Sequence, residues 1–120
     1  MGSLQKVDDL ALHQIDRLIA MIEGLYCARS YGECEVLIGD EKQIYLVTHG
    51  GRQLLFAPTV DWRQGGPLFE RNDISVEKSE NGWRAHLHGT SAATGQTVLV
   101  AAMRARVKMT YGDEVGSDEP

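Results

Sequence analysis

Residues 74–88 read ISVEKSENGWRAHLH. Asn81-Gly82 is a preferred centre for a type I′ turn, and apolar and polar residues alternate on either side of it. A two-residue turn there pairs Glu80 with Trp83, Lys78 with Ala85 and Val76 with Leu87. Ile74, Val76, Trp83, Ala85 and Leu87 then share one face, as a core requires, with Glu77 opposite His86 and Ser75 opposite His88 on the other. A hairpin with one apolar face needs a second layer to cover it.

Two helices are available for that layer. Ala11, Leu12, Ile15, Leu18, Ile19, Ile22 and Tyr26 recur at helical spacing and predict a helix over about 8–23, with Asp9, His13, Asp16 and Ala20 toward water. Asp8 and Asp9 suit its N-terminal dipole and Gly24 its stop. Thr97 is a fair N-cap for a last helix from Val98 to Tyr111, whose stripe is Leu99, Val100, Met103, Val107 and Tyr111 and which Gly112 breaks. Between the helices, Cys34 to Ile38, Gln43 to Thr48 and Gln53 to Ala57 are rich in strand formers. Gly39-Asp40-Glu41 reads as a hairpin turn, Gly50-Gly51 as the entry to the third strand and Pro58 as its end. Residues 89–96 are small and polar and read as a loop. The expected fold is α+β: two layers, an antiparallel sheet of three to five strands, and an N-terminal and a C-terminal helix packed on one face of it. The length of 120 residues suits one domain over 1–120, with 1–6 and 113–120 as flexible ends.

Composition removes several functions. The net charge is −5, which argues against non-specific binding to nucleic acid or anionic membrane, because phosphate affinity comes from clustered Lys and Arg. No stretch approaches the roughly 20 apolar residues of a spanning helix, and no cationic segment leads into an apolar one at the start, so a cytoplasmic location is expected. Cys27 and Cys34 lack the paired spacing of a zinc site and read as free thiols. His86 and His88, with Glu77, could be drawn as metal ligands, but a solvated strand face explains them as well and no third well-placed ligand is evident. Cys27 or Cys34 with His49 and Asp61 could be drawn as a nucleophilic site, yet nothing in the sequence brings them together. Gly50-Gly51 and Gly65-Gly66 are not followed by the Lys-Ser or Lys-Thr of a phosphate loop. No catalytic residue, metal or cofactor is therefore assigned.

Arg104, Arg106 and Lys108 invite a nucleic-acid reading. Arg104 and Lys108 share a helix face while Arg106 does not, so the charges form no stripe. The helix–strands–helix order is similar to the double-stranded-RNA-binding fold, but that family has a lysine cluster where this chain has Val98, Leu99 and Val100. Nucleic-acid binding through Arg104, Lys108 and Arg63 stays as a minor alternative.

The remaining signal is PTVDWRQGGPLFER, residues 58–71. Asp61, Trp62 and Arg63 read as a loop, with Gly65-Gly66-Pro67 as its turn. A loop tryptophan beside an arginine, with Phe69 nearby, is either a plug for the core edge or an anchor for a partner.

This segment resembles the proline–Ser/Thr–x–Asp-Trp–x–Gln-Gly-Gly-Pro motif of NinX-type proteins, small phage and prophage proteins classed as a domain of unknown function. TVLVAAMRARVKMTYGDEV, residues 97–115, is similar to the same family's last helix, and Trp83-Arg84-Ala85 to a strand between. The likeness runs from Val7 to Val115, although Leu37 to Leu55 matches no part of the pattern and Val98 stands where the family has a proline. It implies a small cytoplasmic phage-encoded protein with no assigned reaction. It also implies that Asp61, Trp62, Gln64, Gly65, Gly66, Pro67, Glu70 and Arg71 act together, as a structural loop or as a binding surface; with Arg63, which lies in the same loop, they are the candidate surface for a host or phage protein. Neither the partner nor the oligomeric state is legible.

Overall fold

The computed structural model describes residues 4–116. Strand β1, Leu4–Lys6, leads into a 3-10 turn at Val7–Asp9 and then helix α1, Leu12–Ile22. The helix starts later than its apolar spacing suggests. The carboxylate of Asp8 is engaged elsewhere, accepting from Lys108 Nζ at 2.9 Å and from the backbone N–H of Thr94 at 3.2 Å. The side chain of Gln14 instead accepts from the N–H of Ala11 at the start of α1. Gly24, at φ +75°, stops α1, and Leu25 donates back to the Ala20 carbonyl while its side chain buries completely.

Strands β2 (Ser30–Tyr31), β3 (Cys34–Ile38), β4 (Ile44–Val47) and β5 (Gln53–Leu55) form one antiparallel sheet in that order. Its β3–β4 turn lies where Gly39-Asp40-Glu41 predicts it. Ile44 and Leu46 face the core. Helix α2, Trp62–Arg71, follows a buried turn at Ala57–Thr59.

Strands β6 (Ser75–Ser79), β7 (Gly82–His86) and β8 (Ala93–Gly95) form a second antiparallel sheet, and helix α3, Val98–Tyr111, lies across it. The hairpin forms, but in a different register. Ser79 pairs with Gly82, Lys78 with Trp83, Val76 with Ala85 and Ser75 with His86, so Glu80-Asn81 is the turn. Asn81 does not adopt the positive φ of a type I′ centre. Gly82 is used within the strand instead, where a Cβ would strike the carbonyl of Gly95 on β8. The shift is two residues, so the faces survive: Ala85 and Ala93 are buried, and Ile74 and Leu87 close the same layer. Strand β8 occupies part of the segment expected as a loop. Three short polar-to-small residues carry too little pattern to announce a strand, and β7 supplies the pairing.

The fold is α+β, but its strands and helices are arranged otherwise than expected. The strands divide into separate sheets, including a short pair between β1 and β9 (Glu114–Gly116) that joins segments expected as flexible ends. Residues 1–3 and 117–120, in those same ends, lie outside the described residues. Helix α3 packs on the three-stranded sheet, whereas α1 and α2 pack against α3. This explains why α3 exceeds its expected stripe. Ala101, Ala102 and Ala105 are buried together with Leu99, Val100, Met103 and Val107, because neighbours crowd more than one side of the helix. Its predicted ends hold: Thr97 Oγ1 accepts from the N–H of Val100 at 3.2 Å, and Gly112 turns out at φ +89°.

Candidate functional site

The segment expected as an Asp-Trp loop is helical from Trp62 onward. Asp61 is its N-cap, accepting from the N–H of Arg63 at 2.9 Å, and Gly65-Gly66-Pro67 lies within the helix rather than making a turn. Two glycines and a proline disfavour a helix. Packing overrides them. A Cβ on Gly65 would strike the carbonyl of Pro58 and the side chain of Leu99, so only glycine lets α2 approach α3 this closely. Gln64 secures the same junction, accepting from the Ala57 N–H at 2.6 Å and donating to the Leu55 carbonyl at 3.0 Å. Arg71 reaches Glu23 at 2.6 Å, where the Tyr31 hydroxyl also donates at 2.7 Å. Burial, reinforced by the neighbouring Glu23 carboxylate, pushes the Tyr31 phenol up to about 12.

Asp61, Gln64, Gly65 and Arg71 thus have partners inside the chain. Trp62, Arg63, Pro67 and Glu70 face outward, and Gly66 is partly covered. Arg63 folds back on Asp61 at 3.4 Å, an exposed pair of small energetic value. The indole of Trp62 lies over Gly66 and reaches Phe69, with ring centres 6.4 Å apart. Trp62 is nevertheless 57% exposed, with Val60 at 64% and Leu12 at 38%. These three residues edge an open cleft of about 520 Å³ between α1, the turn before α2 and the start of α3. Leu99 and Val100 also line it, and Gln96, Thr97 and Arg104 form its polar end. A second cleft of about 440 Å³ shares Gln96 and Arg104 and runs toward Trp83 and the hairpin tip.

The turn beneath Trp62 is anchored by Asp16, which the helical spacing placed toward water. Its two carboxylate oxygens accept from Thr59, from the N–H at 2.9 Å and from the hydroxyl at 3.0 Å. Burial nonetheless raises its pKa to about 6, since the loss of hydration outweighs the two donors. Ala20, placed on the same outer side, is buried too.

The other candidates disperse. Lys108 is buried against Asp8 and donates to the Ala92 carbonyl at 2.8 Å. Arg104 donates to the carbonyls of Thr94 at 2.8 Å and Leu10 at 3.0 Å. Both cations of the nucleic-acid alternative on α3 are therefore tied to the scaffold. Glu77 faces Arg84 at 3.7 Å rather than His86, and His88 lies beyond the paired strand. Among the described residues no group of three or more His, Cys, Asp or Glu could hold a metal. Cys27 is exposed, Cys34 is half-buried, and both are free, while Asp61 is occupied as a helix cap. No helix among the described residues is long and apolar enough to cross a membrane.

Leu12, Val60, Gln96 and Arg104 rim the cleft beside Trp62. They come from four separate segments, and no local pattern links them.

A search of curated proteins gives no match. The family model described as bacteriophage P22 NinX matches residues 6–110, a span that holds α1, α2 and nearly all of α3. The chain belongs to the bacteriophage P22 NinX family.

Proposed function

We propose that this phage accessory protein acts without catalysis, as a cytoplasmic protein-interaction domain, and that the Trp62 face of α2 meets a host or phage protein. The observation that carries the reading is the 57% exposure of Trp62 beside exposed Val60 and Leu12. A large rigid side chain at the edge of an apolar cleft suits a binding anchor better than a core plug. Arg63, Pro67 and Glu70 supply a mixed polar border. The free thiols Cys27 and Cys34 suit a reducing compartment.

The test is capture from nuclease-treated host lysate by wild type and by Trp62→Ala, with melting curves confirming that both are folded. A protein retained by wild type and lost by the variant supports the reading. Identical retention, or none, contradicts it. Two controls address the alternatives. Short duplexes at low salt should leave fluorescence anisotropy unchanged on addition of the protein. Cys27 and Cys34 should alkylate at rates ordinary for free thiols, where an activated nucleophile would react faster.

A further inference from the structure

We infer that the cleft beside Trp62 takes an extended partner segment in which a large apolar side chain lies next to an Asp or Glu side chain. This rests on the interaction reading above and supplies the chemistry of the partner.

The argument is one of charge and shape. The chain carries a net charge of −5, yet among the described residues no acidic side chain lines this cleft, and the one ionic side chain that does is Arg104. Among the described residues Arg104 has no carboxylate at ion-pair distance, and its two hydrogen bonds go to neutral carbonyls. Its Nε is buried and has no hydrogen-bond partner among the described residues. A guanidinium has five N–H donors; burial closes Nε to a partner, but Nη1 and Nη2 each keep one N–H after the two carbonyls are served. The start of α3 adds to the same polarity. Thr97, its N-cap, lines the cleft, and a helix of this length carries partial positive charge at that end.

The other end of the cleft is apolar. Leu12, Val60 and Trp62 edge it and Leu99 and Val100 line it, within a volume of about 520 Å³. That volume has room for more than one side chain. The second cleft continues from Gln96 and Arg104 for a further 440 Å³ or so, which gives an extended segment a path past the arginine. The apolar side chain accordingly sits against Trp62, and the carboxylate meets Arg104 in a charge-assisted hydrogen bond.

The test is selection on the wild-type protein from a random dodecamer library displayed with the peptide carboxyl termini joined to the carrier, so that only side chains offer carboxylates. Enriched peptides should carry Leu, Ile, Met, Phe or Trp within two positions of Asp or Glu, and should fail to bind Trp62→Ala. Converting that acid to its amide should weaken binding to wild type at least about tenfold, and added salt should weaken the acidic peptide more than the amide. The amide comparison uses the wild-type protein, so it does not depend on a variant folding. In Arg104→Gln, once melting shows it folded, acid and amide should bind alike. No enrichment, enrichment without acids, indifference to the amide exchange or binding unchanged by Trp62→Ala overturns the inference. If lysate capture remains dependent on Trp62 while the selected peptides lack acids, the interaction reading stands and this inference alone falls.

Discussion

Helices α2 and α3 hold the two longest stretches of the family pattern, and they use their polar residues in opposite ways. On α3, Lys108 is spent on Asp8 and the Ala92 carbonyl, and Arg104 on two carbonyls, although Arg104 also faces the cleft beside Trp62. On α2 and its cap the residues divide. Asp61 caps the helix, Gln64, Gly65 and Arg71 fasten it to its neighbours, and Trp62, Arg63, Pro67 and Glu70 face solvent. A long motif is therefore no uniform signal of function. Much of its specificity describes how two helices meet, and only the residues that face solvent remain for binding.

The largest effect that could break this contrast is expected at Gly65. Gly65→Val places side-chain atoms against a backbone carbonyl and Leu99, neither free to move far, and should cost about 3 kcal/mol or more in urea unfolding. A loss below about 1 kcal/mol would mean that α2 does not pack as described.

Next comes Lys108→Met. It keeps the aliphatic stem but leaves the Asp8 carboxylate and the Ala92 carbonyl without their donor, and should cost about 2 kcal/mol. The value lies below that of a fully buried pair because Asp8 keeps some contact with water. If the variant melts like wild type, the internal engagement of the α3 cations is wrong, and their availability to nucleic acid must be reconsidered.

Asp16 sharpens the comparison through pH. Its folded pKa is about 6 against an ordinary 3.8, so the folded state holds the proton more tightly. The stability this supplies is present below about pH 4 and is lost as pH rises through 6. Asp16→Asn lacks that dependence, so its stability relative to wild type should improve from pH 4 to pH 7, by about 2 kcal/mol. A difference that stays constant across that range would show that Asp16 is not held in a poorly hydrated site.

Gly66 should respond oppositely to its neighbour. A Cβ there meets only Trp62 Cε3 at 3.5 Å, an ordinary contact, so Gly66→Ala should raise stability by about 0.5–1 kcal/mol through helix propensity. A loss would place Trp62 more tightly against the helix than its exposure indicates.

The same contrast explains what the sequence made legible. The bounds of α3 follow from Thr97 and Gly112, whose signals are local, and those of β3 from a run of strand formers. Where a distant residue decides the outcome, local reading fails. Asp8 looks like a helix-start residue but is claimed by Lys108, 100 positions away. Gly65-Gly66-Pro67 looks like a turn, but the approach of Pro58 and Leu99 makes the glycine a packing residue. Gly82 looks like a turn centre, but it lies within β7, close against the Gly95 carbonyl where a side chain would not fit, and the register is moved by two. The motif around Trp62 was visible, whereas the cleft beside it was not, because its walls exist only once α1, α2 and α3 have met.

The most direct test of this division is urea unfolding of Gln64→Ala beside Trp62→Ala. The first leaves the Ala57 N–H and the Leu55 carbonyl without their side-chain partner and should lose about 2 kcal/mol. The second removes a side chain that is mostly in water and should lose less than about 1 kcal/mol. If Trp62→Ala instead loses the 3 kcal/mol or so of a buried tryptophan while Gln64→Ala is silent, the two halves of the motif have been assigned the wrong way round.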